Sequence, residues 1–215
     1  MAIEVKICGI NSAEALAAAV EGGVGLVGFN FYRKSPRFLT HDAAAALART
    51  VPASVKRVGL IVDLDNEAIA TLLAAVPLDM LQLHGSEDPT RVAAIRARFR
   101  KPVMKAIPVA RAEDLAVADA YLAVADRLLF DAKPPSSMKD ALPGGNAISF
   151  DWRLLQGHDW SKPWMLSGGL GPDNLAEAVA ISGARRVDLA SGVEDRPGLK
   201  NPAKIKALLA LAKTL

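Results

Sequence analysis

The fold class predicted by the sequence is α/β, a single-domain (β/α)8 barrel of the TIM type, and three observations predict it. Short apolar runs rich in Val, Ile and Leu alternate with Ala-rich amphipathic stretches along all 215 residues. The runs number eight, and such runs fit parallel strands buried on both faces. No GxGxxG follows the first run, which weighs against the doubly wound open sheet that is the structural alternative. Eight units of about 27 residues lie near the lower end of what such barrels use.

The expected strands, in order, span 3–7, 24–29, 57–62, 80–83, 102–107, 127–130, 163–166 and 186–190. The expected helices span 12–21, 41–49, 66–75, 89–99, 112–123, 173–182 and 202–213. Ser12 and Asp65 offer N-cap side chains, and Pro202 after Asn201 suits a first helical position. The segment after the sixth strand is the exception, with only a short helix expected near 151–155. No linker, low-complexity tract or composition break divides the chain, so one domain over residues 1–215 is expected.

Composition excludes several classes. One cysteine and three histidines rule out an intramolecular disulfide framework and CxxC-type metal or redox sites. The first residues lack a basic segment followed by an unbroken apolar core, and no run approaches a membrane span, so a soluble protein of the cytoplasm is expected. The net charge of +3 arises from 26 basic and 23 acidic residues that are interspersed, with aromatics at 5%. That is too few aromatics for base-stacking platforms, so no nucleic-acid partner is expected. The densest basic stretch, Arg91 to Lys101, reads as a solvated helix C-terminus.

Strand parity assigns faces to the polar residues near the strand ends. Lys6 and Cys8 share one face of the first strand, Gln82 and His84 one face of the fourth, and Asp131 ends the sixth. Asp188 lies in the eighth, beside the first in a closed barrel, where it can pair with Lys6. Unpaired burial of such groups costs roughly 1–3 kcal/mol each, so several at one end point to a site at the C-terminal face. Two glycine-containing loops follow strands seven and eight, residues 167–174 and 190–198. Phosphate sites in this fold are commonly built there, which singles out Gly168, Gly169, Ser191 and Gly192. No metal site is expected, because neither His41 nor His158 falls at a strand end beside His84.

Read together, these residues resemble the phosphoribosylanthranilate isomerase family along essentially the whole chain. The likeness is carried by Lys6-Ile-Cys-Gly9, Gly28-Phe-Asn-Phe-Tyr32, Ser35-Pro-Arg37, Lys56-Arg-Val-Gly59 and Leu81-Gln-Leu-His-Gly85. It continues through Phe130-Asp-Ala-Lys133, Gly144-Gly145 with Phe150-Asp-Trp152, Ser167-Gly-Gly-Leu170 and Val187-Asp-Leu-Ala-Ser-Gly-Val-Glu194. The resemblance implies a cofactor-free Amadori rearrangement of a phosphosugar substrate in tryptophan biosynthesis. Cys8 would be the general base, Asp131 the general acid, and Arg37 the contact for the anthranilate carboxylate. His84 and Asp188 are expected near the substrate, and Lys6 or the phosphate-loop dipoles are expected to favour the Cys8 thiolate. Trp152, Trp160 and Trp164 are expected to pack rather than bind. Monomer and homodimer both remain open. One departure stands out: the family's paired glycines are usually followed by a small residue and a glycine, whereas here Asn146 and Ala147 follow. The segment 133–149 is a candidate lid. Competing functions are a histidine-pathway aldose–ketose isomerisation, which resembles a two-Asp system, and a non-catalytic phosphosugar binder.

Overall fold

A computed structural model describes residues 3–139 and 141–215. Eight parallel strands close into a barrel in sequence order, β1 through β8, with β8 returning to β1. They are β1 (Glu4–Cys8), β2 (Leu26–Asn30), β3 (Lys56–Ile61), β4 (Met80–Leu83), β5 (Val103–Val109), β6 (Arg127–Ala132), β7 (Trp164–Leu166) and β8 (Arg186–Leu189). Around them run α1 (Ala13–Gly22), α2 (His41–Thr50), α3 (Asn66–Ala75), α4 (Pro89–Phe99), α5 (Ala112–Asp119), α6 (Leu175–Ser182) and α7 (Pro202–Ala212).

Local chemistry starts the helices where the sequence reading placed them. Ser12 Oγ accepts from Ala15 N, Asp65 Oδ1 from Ala68 N, and Asn201 Oδ1 from Ala203 N and Lys204 N. The two strand faces separate as parity requires. Val5, Ile7, Val27, Phe29, Leu81, Leu83, Leu128, Phe130, Val187 and Leu189 pack outward against the helices. Leu26, Val58, Met80, Met104, Ala106, Leu129 and Met165 fill the barrel interior as a separate cluster. Inward positions nearer the strands' carboxyl ends are polar, and these build the site.

The differences are local. Strand β5 runs on to Val109 through Pro108, whose place beside Asp131 at the exposed lip of the barrel asks little of its missing N–H. Strand β6 likewise continues to Ala132. Helix α5 stops at Asp119, and the chain to Ala125 is made of turns that tie Tyr121, Val124 and Ala125 together. Helix α6 begins at Leu175 because Asn174 turns its side chain back to Gly169 O and Gly171 N. The short helix after β6 is a 3₁₀ turn over Trp152–Leu155. After β8 a 3₁₀ turn (Ser191–Val193) leads into an unanticipated ribbon, β9 (Glu194–Arg196) with β10 (Leu199–Lys200). No helix among the described residues is long and apolar enough to cross a membrane.

Candidate active site

A cavity opens at the barrel mouth, at the carboxyl ends of the strands. Cys8, Arg37, His84, Asp131, Gly168, Gly169, Asp188 and Ser191 all line it. Of the residues expected to be catalytic, substrate-binding or phosphate-binding, only Gly192 lies outside the lining. It sits beneath, where an added Cβ would meet Leu170 O at once, so glycine is required for the two loops to touch. Trp152, Trp160 and Trp164 stay out of the cavity. Trp160 packs on Phe130 at 4.3 Å between ring centroids and meets Trp164 edge-on.

At the floor, Lys6 Nζ donates to both carboxylate oxygens of Asp188, at 2.9 and 3.0 Å. The ammonium is fully buried, and although burial opposes its charge, Asp188 and Cys8 raise its pKa above the ordinary lysine value. Gly28 makes room for this group. A Cβ there would lie 3.1 Å from Cys8 Sγ and from Lys6 Nζ. Burial pushes the Cys8 thiol up, and Lys6 and Lys200 oppose that rise without cancelling it, while Asp188 adds to it. The expected help from Lys6 is therefore present but shared with Asp188.

On the opposite wall, His84 Nε2 faces Asp131 Oδ2 at 3.2 Å, and Asp131 Oδ1 accepts from Ala132 N at 2.9 Å. Gln82 is fully buried, and its Nε2 lies 2.8 Å from His84 Nδ1. The His84 ring thus bridges Gln82 and Asp131, and its tautomer decides which ring nitrogen donates. Gln82 Oε1 is left without a partner.

Arg37 is more constrained than the sequence suggested. Its Nε and Nη2 form a paired bond to Glu194 at 2.8 Å each, and Nη2 also reaches Gly145 O at 3.3 Å. Glu194 simultaneously accepts from Lys200 Nζ at 2.7 Å. Burial works to raise the Glu194 carboxyl, but Arg37 and Lys200 outweigh it and hold it below the usual carboxylate range. Burial lowers the Lys200 ammonium. Gly9, at φ +75, lets the Arg37 side chain pass, since a Cβ there would meet Arg37 Cδ at 2.6 Å. Asn30 and Ser35 fix the loop that presents Arg37, through Asn30 Nδ2 to Ser35 Oγ and Arg37 N to Ser35 Oγ. Sequence reasoning assigned no role to Glu194, Lys200 or Asn30. Glu194 stood within a matched motif, but nothing local joins it to a residue 157 positions away.

Leu142, Pro143, Gly144, Gly145, Asn146 and Ile148 roof the cavity. Gly168 and Gly169 have positive φ, and each is crowded where a Cβ would stand, Gly168 by Ala132 and Gly169 by the backbone of Ile148. The short 3₁₀ turn opened by Ser191 lies beside them on the cavity wall. Among the described residues, no group of three or more His, Cys, Asp or Glu side chains could hold a metal ion.

The sequence and fold also match known proteins. A model of the family described as N-(5'-phosphoribosyl)anthranilate (PRA) isomerase matches residues 5–210. N-(5'-phosphoribosyl)anthranilate isomerase of Rhodospirillum centenum is 57% identical over 215 residues, covering 100% of both chains. That of Paramagnetospirillum magneticum is 54% identical over 213 residues, covering 99% of this chain and 98% of its own. A crystal structure of phosphoribosyl anthranilate isomerase from Thermotoga maritima superposes with a TM-score of 0.88 at 36% identity, covering 99% of this chain and 100% of that one. Another structure, in complex with reduced 1-(o-carboxyphenylamino)-1-deoxyribulose 5-phosphate, superposes at 0.85 with 34% identity and the same coverage. With a family match over most of its length and relatives this similar end to end, the chain belongs to the N-(5'-phosphoribosyl)anthranilate isomerase family.

Proposed function

We propose that this chain isomerises N-(5-phospho-β-D-ribosyl)anthranilate to 1-(2-carboxyphenylamino)-1-deoxy-D-ribulose 5-phosphate, with Cys8 as general base and Asp131 as general acid. The observation that carries the reading is that a thiol and a carboxyl line one cavity bordered by the paired glycines Gly168 and Gly169. The phosphate sits on the loops of Gly168, Gly169, Ser191 and Gly192. Arg37 turns its remaining Nη1 edge toward the substrate carboxylate, its other two nitrogens being held by Glu194.

The chemistry follows from these placements. Asp131 protonates the furanose ring oxygen as the C1–O bond breaks, and the anthranilate nitrogen lone pair forms the C1=N bond. The iminium acidifies the hydrogen on C2, which the Cys8 thiolate removes. The C–H electron pair becomes the C1=C2 double bond, and the nitrogen recovers its lone pair. The resulting enolamine gains a proton at C1 and loses one from the C2 hydroxyl, giving the ketone. No atom or electron is gained overall, since the iminium nitrogen is the electron sink. His84 orients Asp131, and Lys6 stabilises the thiolate.

Loss of anthranilate-type substrate fluorescence measures turnover. Cys8→Ala and Asp131→Asn are each expected to slow it roughly 10²–10⁴-fold, the usual worth of a positioned base or acid. Full activity in both variants would refute the assignment. A histidine-pathway substrate gives no such fluorescence change, and a pure binder would show saturation without turnover.

A further inference from the structure

We propose that Asn146 is a positioning residue for this reaction, clamping the 142–146 turn so that Gly144 and Gly145 close over the acid and the arginine. The proposal rests on the functional reading above. Asn146 binds one residue through both ends of its amide: Oδ1 accepts from Leu142 N at 2.9 Å, and Nδ2 donates to Leu142 O at 2.7 Å. The segment between is thereby tied into a closed ring. Its contents matter, because Gly144 lies where an added Cβ would stand 2.5 Å from both Asp131 Oδ2 and His84 Nε2. Gly145, at φ +76, directs its carbonyl to Arg37 Nη2. One amide therefore sets the covering of two substrate-facing side chains.

The next residue shows why a clamp is needed. Ala147 has φ +56, a left-handed conformation that an L residue with a Cβ resists. Beyond it Ile148 runs so close to Gly169 that a Cβ added there would stand 2.8 Å from the Ile148 carbonyl, so the far end of the turn lies against that loop. Ala147 thus takes its unfavourable conformation between two anchored points, and the two Asn146 bonds are the local interactions that oppose relaxation. Asn146 and Ala147 are also the positions where the chain departs from the pattern of a small residue followed by glycine. The departure is therefore a coupled pair, an amide clamp followed by a left-handed residue that carries a Cβ.

Two neutral hydrogen bonds together shift a closed–open equilibrium by about tenfold or more. A turn that closes equally on bound substrate and on the transition state affects KM and leaves kcat nearly alone. Asn146→Ala is expected to raise KM, and the dissociation constant for reduced 1-(o-carboxyphenylamino)-1-deoxyribulose 5-phosphate, by about tenfold, with kcat within about threefold. Amide exchange at Gly144 and Gly145 should accelerate by a similar factor. Adding Ala147→Gly to Asn146→Ala, which removes the left-handed strain, is expected to recover at least about threefold of the loss. Unchanged KM and exchange in Asn146→Ala, a kcat loss with KM intact, or no recovery in the double variant would overturn the proposal. Binding and exchange are read without turnover, so they separate this inference from the functional one. A wild-type chain that neither binds the reduced compound nor consumes substrate would overturn both.

Discussion

Glu194→Gln tests the buried charge cluster at the rim of the cavity. The wild-type carboxylate is shared by Arg37 and Lys200, and the three side chains are 3%, 4% and 0% exposed for Glu194, Arg37 and Lys200. Glutamine keeps the shape but removes the charge, and one of its two amide atoms becomes a donor facing a cation that also donates. Arg37 cannot shed its proton. Lys200 can, because burial already lowers it, and that escape limits the damage. Removing one partner of a buried pair costs about 3–5 kcal/mol, a large part of the roughly 5–15 kcal/mol that holds a domain folded. For a chain of this size that is a fall of about 6–20 °C in Tm. The pH dependence has a definite sign. Glu194 is depressed below its ordinary 4.5, so its contribution is fully present above that value and is lost as pH falls through the lower folded value. Urea unfolding of wild type and Glu194→Gln should show a constant gap at neutral pH that narrows below about pH 4.5. Lys200→Met added to Glu194→Gln should recover part of the loss by removing the stranded cation. A gap under about 1 kcal/mol, or one that does not change with pH, would refute the reasoning.

The other expected outcomes concern the catalytic wall. Because Lys6 lowers the Cys8 thiol, Lys6→Met should move the pH curve for alkylation of the single cysteine upward. The rising limb of kcat/KM should follow the same shift, and curves that superpose in the two proteins would remove Lys6 from the mechanism. Gly144→Ala places a methyl 2.5 Å from Asp131 Oδ2 and His84 Nε2 and should lower kcat/KM about 10²-fold, the scale of a misplacement near 1 Å. A loss below about threefold in a steady-state assay would show that the turn yields freely.

The barrel was legible in the sequence because its strands are buried on both faces and carry near-continuous apolar runs, so their number and order could be read directly. The inward placement of Cys8, His84, Asp131 and Asp188 was legible for a different reason: a two-residue period leaves one face for each polar residue once the apolar face is known. What escaped has physical causes. The ribbon of Glu194–Arg196 and Leu199–Lys200 is five residues, four of them charged, with no periodicity long enough to register. The link from Arg37 to Glu194 spans 157 positions and exists only when the segments following β2 and β8, the two neighbours of β1, come together at the barrel mouth. Pro108 marked an end for β5 because proline lacks a ladder donor, yet at the rim that donor is dispensable. Asn146 could be seen as a departure but not as a clamp, since its partner is a backbone group set by the turn itself.

The position of the one cysteine follows from the same charge arrangement. A thiol in the fully apolar parity of β1 would be raised by burial with nothing to oppose it. One residue over, it shares the interior with an ammonium that cannot be there alone: an unpaired buried lysine loses its proton. Asp188, the register partner of Lys6 across β1 and β8, supplies the counter-charge that keeps the ammonium charged. The same carboxylate then competes with the thiolate for that ammonium, so Asp188 both enables and limits activation of Cys8. At the rim the balance differs, since Arg37 and Lys200 together exceed Glu194 by one positive charge. The excess lies where the anionic ends of the substrate are proposed to dock, and it also lowers the Cys8 thiol through Lys200. Pairing at the floor and surplus at the rim are what the proposed function requires, a buried thiol and an anionic substrate in one cavity.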